Sequence, residues 1–336
     1  MSVVNLSAIE CLRVIAGTSE IDNTPLRVFS EDATSFLAEV SNALLHDGVA
    51  RSMPDVVSFA YWCRKGNLQR QREEHASALG FDARLGRGLA LHIAPSNVPV
   101  NFAFTYAFSL LAGNATIVRV SSKQFAQVDA IVRILSKVLE RYPAVKARTA
   151  FVAYDSSSDG SERLSALADV RVIWGGDATV ATIKALPTMP RCVDMAFADR
   201  YSIAMIGASA INEASDEALA RLAQDFYNDT YLMDQNACSS PRTILWVGDG
   251  DDNGVTEAKK RFWKAVDTYA AKRYELQPAV VMDKYVKECG DFMRGAIVSA
   301  EVPDGVLTVA ELDESEPLST ELRGQGGYFY ERTVSG

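Results

Sequence analysis

A chain of 336 residues is long enough to bury two cores, and its 48% hydrophobic and 23% charged residues are those of an ordinary globular protein. A formal charge of −9 and a pI near 5.0 exclude an electrostatic nucleic-acid binder, which needs a basic excess. The five cysteines (Cys11, Cys63, Cys192, Cys238 and Cys289) are scattered, without zinc-ribbon or C-x-x-C spacing. Their odd number does not suit a secreted disulfide framework, so a reduced cytoplasmic setting is expected.

The first 80 residues read as helical and polar-faced. Ser30-Glu31-Asp32 opens one amphipathic helix, and Pro54 starts another through Phe59, Trp62 and Arg64. Glu10, Arg13 and Glu20 precede any long apolar run, so the N-terminus is not a signal peptide. From Leu89 short apolar strands alternate with helices. The pattern predicts a strand at Leu89–Ile93, a helix at Pro99–Ala112, a strand at Thr116–Val120 and a helix at Gln124–Arg141. Thr149–Tyr154, Ser161–Ala168, Val170–Trp174 and Ala178–Leu186 continue the alternation. This is the signature of a doubly wound parallel sheet. A second α/β unit is expected from Tyr201, giving domains 1–200 and 201–336, with strands Ser202–Ile206 and Thr243–Val247 around a helix Ser215–Leu232. Gly248–Gly254 is read as a solvated loop, since the glutamate that a calcium loop needs is missing. Two helical stretches after Glu257 and a strand Tyr328–Glu331 complete the chain.

Ile93–Val118 contains no charged residue and is long enough to span a bilayer. Its breakers (Pro95, Ser96, Asn97 and Pro99 at one end, Gly113 and Asn114 at the other) instead predict a strand, a turn and a buried helix, with no transmembrane segment.

Four segments have residues suited to chemistry. Ala94-Pro95-Ser96-Asn97-Val98-Pro99 is a strand-to-helix turn, where helix amides can face a phosphate or a developing anion; on this segment alone an ordinary N-cap at Ser96 or Asn97 is the better reading. Arg119-Val120-Ser121-Ser122-Lys123 closes the next strand with two cations and two hydroxyls, suited to a nucleotide 2′-phosphate in a crevice at strand carboxyl ends; an ordinary solvated helix start with flanking charge is the commoner case. Trp174-Gly175-Gly176-Asp177 lets a diphosphate approach backbone amides, although it is not G-x-G-x-x-G. Cys238 sits in a polar loop of Gln, Asn and Ser, where a thiolate can be stabilised. Cys11, Cys63 and Cys289 fall in helical patterns and read as packing residues. The three histidines have no nucleophile elbow near them, so a Ser/His/Asp triad is not expected.

In this order, Ser96–Phe102, Leu111–Ala115 with Arg119–Lys123, and Gln235–Pro241 resemble the aldehyde dehydrogenase superfamily. The likeness is greatest to its acyl-CoA reductase branch, which includes the fatty-acid reductase of bacterial luminescence systems, and it runs from about Pro54 to the last residue. The resemblance implies a doubly wound cofactor domain and an α/β catalytic domain, C-terminally incomplete because relatives continue further. It implies Cys238 as the nucleophile and Asn97 as an oxyanion-hole donor. Ser96, Arg119, Ser121, Ser122 and Lys123, with Gly175 and Gly176, would bind the cofactor. Arg119 replaces a ribose-contacting lysine and Ser122 a ribose-binding glutamate, which implies NADPH.

Hydrolytic members carry a glutamate that activates water against the acyl-enzyme. The matching segment here is Ala196-Phe197-Ala198-Asp199-Arg200, with alanine in that place, unless Asp194 or Asp199 takes the role by a register shift. Without a general base an acyl-enzyme persists, so the expected reaction is NADPH-dependent reduction of an acyl-CoA to the aldehyde. The alternatives are an acyl-phosphate reductase and a truncated, non-catalytic nucleotide- or partner-binding member. The expected partners are a homo-oligomer or an acyl-transferring or acyl-activating protein.

Overall fold

The computed structural model describes residues 3–79, 84–95, 98–121, 123–248, 252–303 and 305–335. The chain divides into two units, Met1–Asp199 and Arg200–Gly336.

The first unit opens with three strands, β1 (Val3–Asn5), β2 (Arg13–Gly17) and β3 (Glu20–Asp22). This corrects the helical reading of the N-terminus. The β-branched pair Val14-Ile15 is used as an edge strand, with β2 running antiparallel to Thr149–Ala153, a distant pairing that no local periodicity announces. Cys11 lies between β1 and β2, not in a helix, and its thiol donates to Asp159 at 3.3 Å. Helices follow as read: α1 (Glu31–His46), α2 (Pro54–Trp62) and α3 (Lys65–Leu79). Ser30 caps α1 by accepting from the Ala33 amide, and Pro54 occupies the first turn of α2.

The alternating part is β4 (Leu89–Ile93), α4 (Asn101–Leu111), β5 (Ala115–Arg119), α5 (Ala126–Leu139), α6 (Pro143–Lys146), β6 (Thr149–Ala153), α7 (Gly160–Ser165), β7 (Val170–Trp174), α8 (Asp177–Lys184) and β8 (Val193–Phe197). Every residue of β4 is buried, as a strand covered on both faces must be. Val128, Ile131, Leu135 and Val138 form the buried stripe of α5 at helical spacing. The sheet order is β2-β6-β5-β4-β7-β8, with β2 alone antiparallel. The chain steps outward from β4 to β5 and β6, then returns to the far side of β4 for β7 and β8. The crevice between the carboxyl ends of β4 and β7 is therefore the topological switch point, where open α/β sheets bind ligands.

The second unit contains β9 (Ser202–Gly207), α9 (Ala208–Glu213), α10 (Asp216–Thr230), β10 (Pro241–Gly248), α11 (Asp252–Ala270), α12 (Pro278–Met293), β11 (Ile297–Glu301), β12 (Thr308–Leu312) and β13 (Tyr328–Ser335). Its sheet order is β11-β12-β13-β10-β9, with only β11 antiparallel to its neighbour. The short helix α9 and the strands β11 and β12 went unread in the sequence. The expected loop Gly248–Gly254 is shorter than supposed, because α11 begins at Asp252; residues 249–251 lie outside the described residues. Alternation along β13 separates two cores. Phe329 packs with Phe226, Phe262 and Trp263, whereas Tyr328 and Tyr330 face away and donate to buried Asp291 at 3.0 and 2.5 Å. Among the described residues, no helix is long and apolar enough to cross a membrane, and the uncharged Ile93–Val118 run contains the last residue of β4, all of α4 and most of β5.

Lys259 joins Glu311 at 2.5 Å and Glu331 at 3.2 Å, while Trp246 and Trp263 donate to Glu331. Burial pushes the Glu311 carboxyl up to about 7, against the pull of Lys259. The unfolded chain releases this proton near the ordinary carboxylate range, so between these values the folded state binds more protons than the unfolded one. Stability therefore falls as pH rises from about 5 to 7. Urea unfolding across that window should show this decline, and Glu311→Gln should flatten it. An unchanged slope in the variant would rule out Glu311 as its source.

Candidate active site

Cys238 lies on the second unit, between α10 and β10. A 3-10 turn, Tyr231–Met233, ends α10, and the chain then passes through two left-handed residues, Asp234 (φ 51°) and Gln235 (φ 61°). Non-glycine residues adopt this conformation only when their surroundings hold them. Here the holding group is the Gln235 side chain, which is 0% exposed. Its amide nitrogen donates to the Pro241 and Tyr328 carbonyls at 3.1 and 3.0 Å, and its oxygen accepts from the Gly327 amide at 3.2 Å. Gly327 (φ 85°) tolerates no side chain, since a Cβ would sit 2.3 Å from the Val306 carbonyl oxygen. Ser240 donates to Asp229, and Tyr274 donates to Asp234 at 2.7 Å. Ser202 donates to the Cys238 carbonyl at 2.7 Å. The loop is thus pinned from both sides while the Cys238 side chain is exposed. Beside it lies a pocket of about 200 Å³ lined by Asp234, Asn236, Lys284, Arg323 and Tyr328, among others.

The other thiols are differently placed. Burial pushes Cys63 well above the ordinary thiol range and also raises Cys192, so both stay protonated. The structure provides no histidine base in the first sheet either. His92 is fully buried on β4 with Nδ1 2.6 Å from the Thr105 hydroxyl, and burial pushes its imidazole down to about 3.

On the first unit, the parallel register aligns Ile93 with Arg119 on one side and with Ile173 on the other. The carboxyl ends of β4, β5 and β7 therefore form one edge. Arg119 is half-buried with its guanidinium 4.8 Å over the Tyr154 ring, and its buried Nε has no hydrogen-bond partner among the described residues. Ser121 accepts from the Lys123 amide at 3.1 Å, and Lys123 is exposed. Gly176 precedes α8 without a side-chain cap and with open space where its Cβ would be, so the first amides of that helix are not covered by a side chain. A Cβ on Gly175 would sit 3.0 Å from Thr179, so this turn packs most closely on α8 as glycine. Ser96, Asn97 and Ser122 lie outside the described residues.

Three contributions escaped the sequence reading. The Gln235 amide, the Tyr154 ring beneath Arg119 and the Arg171 fork all act through distant partners. Arg171 holds both oxygens of Asp194 at 2.7 Å and donates to the Ile183 carbonyl at the end of α8. Asp194 is thereby committed to an ion pair and is not available as a base. Ala196 lies within β8, paired with Ile173.

An open doubly wound sheet followed by a mixed α/β unit with a cysteine loop ahead of an interior strand is the aldehyde dehydrogenase fold. Solved structures agree in fold. An indole-3-acetaldehyde dehydrogenase matches with TM-score 0.62 at 13% identity, covering 90% of this chain and 67% of that one. ALDH21 from Physcomitrella patens matches with TM-score 0.58 at 14% identity, covering 91% and 68%. Within that fold, the chain belongs to the acyl-CoA reductase (LuxC) family, whose model matches residues 53–287. It is similar to the long-chain acyl-protein thioester reductase of Aliivibrio fischeri, 26% identical over 55% of this chain and 36% of that protein. It is also similar to long-chain acyl-protein thioester reductase 2 of Photobacterium leiognathi, 26% identical over 70% of this chain and 48% of that one. The chain thus spans half or less of the length of these curated relatives.

Proposed function

We propose that this chain reduces a long-chain acyl thioester, acyl-CoA among them, to the aldehyde in the cytoplasm, through an acyl–Cys238 intermediate and with NADPH as reductant. The observation that carries the reading is the exposed Cys238 on a loop immobilised by buried Gln235, in a chain of the acyl-CoA reductase family. The Cys238 thiolate attacks the thioester carbonyl, and the C–S bond to the donor breaks to release a free thiol. The Cys238 backbone N–H steadies the oxyanion, and the resemblance assigns a second donor to Asn97. NADPH, when bound, supplies the hydride that reduces the acyl group. The Cys238 thiolate then leaves as the aldehyde forms. Water is a poor competitor, because Ala196 has no base to activate it and Asp194 is held by Arg171.

The first unit suits NADPH. Among the described residues the buried Arg119 Nε has no partner; Arg119 stands with Lys123 at one strand edge, and the α8 amides beyond Gly175-Gly176 have no side-chain cap. These groups would hold the 2′-phosphate and the diphosphate respectively. Arg119→Ala should raise the NADPH dissociation constant about tenfold, equivalent to roughly 1.4 kcal/mol, while leaving NADH nearly unchanged. Fluorescence titration of both nucleotides checks this; equal losses would remove Arg119 from the 2′-phosphate. Radiolabelled myristoyl-CoA and myristoyl phosphate, offered separately, test the donor class. Labelling of Cys238 by the thioester is expected, and labelling by the phosphate alone would favour acyl-phosphate reduction.

A further inference from the structure

We propose that the groove between α10 and α11 docks an acidic protein carrying the acyl group as a thioester; this rests on the acyl-thioester reading of Cys238. The chain has a formal charge of −9, yet this groove of about 680 Å³ is lined by Arg261, Lys264, Lys272 and Arg273, with Asp216 the one carboxylate among its lining residues. Arg261 serves the fold, donating to the Ile211, Asn212 and Ala214 carbonyls. Lys264, Lys272 and Arg273 are exposed and take part in none of the ion pairs found among the described residues. Lys264 and Lys272, on the last turns of α11 and just beyond it, are eight residues apart. Lys272 lies past Ala270, the end of α11, so the two cations are spread along the groove lining instead of sharing one helix turn. An elongated acidic surface, such as a helix with carboxylates on successive turns, matches them.

The groove also leads to the nucleophile. Arg273 lies 3.8 Å over Tyr269, whose ring packs on Tyr227. Tyr227 stacks on Tyr231, Tyr231 packs edge-on against Tyr274, and Tyr274 donates to Asp234, four residues before Cys238. A partner seated on the basic end of the groove is therefore joined to the cysteine loop by one continuous aromatic ladder.

The test compares two donors in single-turnover acylation of Cys238: myristoyl acyl carrier protein, as an acidic thioester-bearing protein, and myristoyl-CoA. In the K264E/K272E/R273E variant, the half-saturating concentration of the carrier protein should rise at least tenfold and its dependence on salt should weaken, with myristoyl-CoA unchanged. Circular dichroism and the unchanged CoA reaction certify the fold, and K264Q/K272Q/R273Q should fall between the two. Equal losses with both donors would assign the groove to the CoA phosphates and overturn the proposal. So would unchanged kinetics with the carrier protein, or failure of the wild-type chain to accept it while accepting myristoyl-CoA. If neither donor acylates the wild-type chain, the acyl-thioester reading itself falls.

Discussion

Replacing Cys238 with alanine is expected to abolish acyl transfer to the chain while leaving NADPH binding intact. The effect should be the largest of any single substitution, at least about a thousandfold in acylation rate, because no other group supplies the attacking atom. Three of the other four cysteines are poor substitutes. Cys63 and Cys192 are held in the protonated form by burial, and Cys11 is bonded to Asp159. The measurement is single-turnover labelling by radiolabelled myristoyl-CoA, followed by peptide mapping, with nucleotide titration in parallel. Label retained by the variant, or mapped to a peptide without Cys238 in the wild type, would refute the assignment. If NADPH binds to the wild-type chain but no acylation follows, the chain is a nucleotide-binding member without turnover.

The second large effect concerns Gln235, which touches no substrate in the proposed reaction. Gln235→Leu leaves the Pro241 and Tyr328 carbonyls and the Gly327 amide without their partner. Buried polar groups left unpaired cost about 1–3 kcal/mol each, and partial relaxation brings the expected loss to about 3–5 kcal/mol. Urea unfolding should register that loss as a lower midpoint, and acylation should slow because the Cys238 loop is no longer fixed. Backbone strain at φ 61° makes a separate contribution, which Gln235→Gly isolates. Glycine adopts that conformation freely but has no amide, so it should remain at least about 2 kcal/mol less stable than the wild type. A glycine variant as stable as the wild type would show that strain, and not hydrogen bonding, governs the loop.

Much of the first unit was legible because its information is local. Apolar runs such as Leu89–Ile93 and Val170–Trp174 are buried on both faces, and α5 writes its buried stripe directly into residue spacing. Breakers at Pro95–Pro99 and Gly113–Asn114 separated strand from helix. The N-terminal strands were not legible, since β2 is stabilised by a partner more than a hundred residues away and has only a short β-branched core of its own. The same holds for β11 and β12, whose pairing with each other and with β13 sets them in the sheet. The cofactor corner was legible in part: Arg119, Lys123 and the paired glycines could be named, but the unpartnered Nε over Tyr154 depends on burial.

By itself, the sequence determined the doubly wound pattern, the positions of the polar strand-end segments and the family to which they belong. It also singled out Cys238, but only through the company of other motifs, because a cysteine among polar residues has no distinctive local signal. The tertiary structure decided what holds that cysteine in place. A buried glutamine amide reaches across to Tyr328 and Gly327, and a tyrosine from beyond α11 grips Asp234. It also decided that Asp194 is bound to Arg171 and that basic residues from α11 and the turn after it gather in one groove. Hydrogen bonds and charge clusters between residues far apart in the chain exist only once the backbone has brought them together, so no reading of neighbours in sequence contains them.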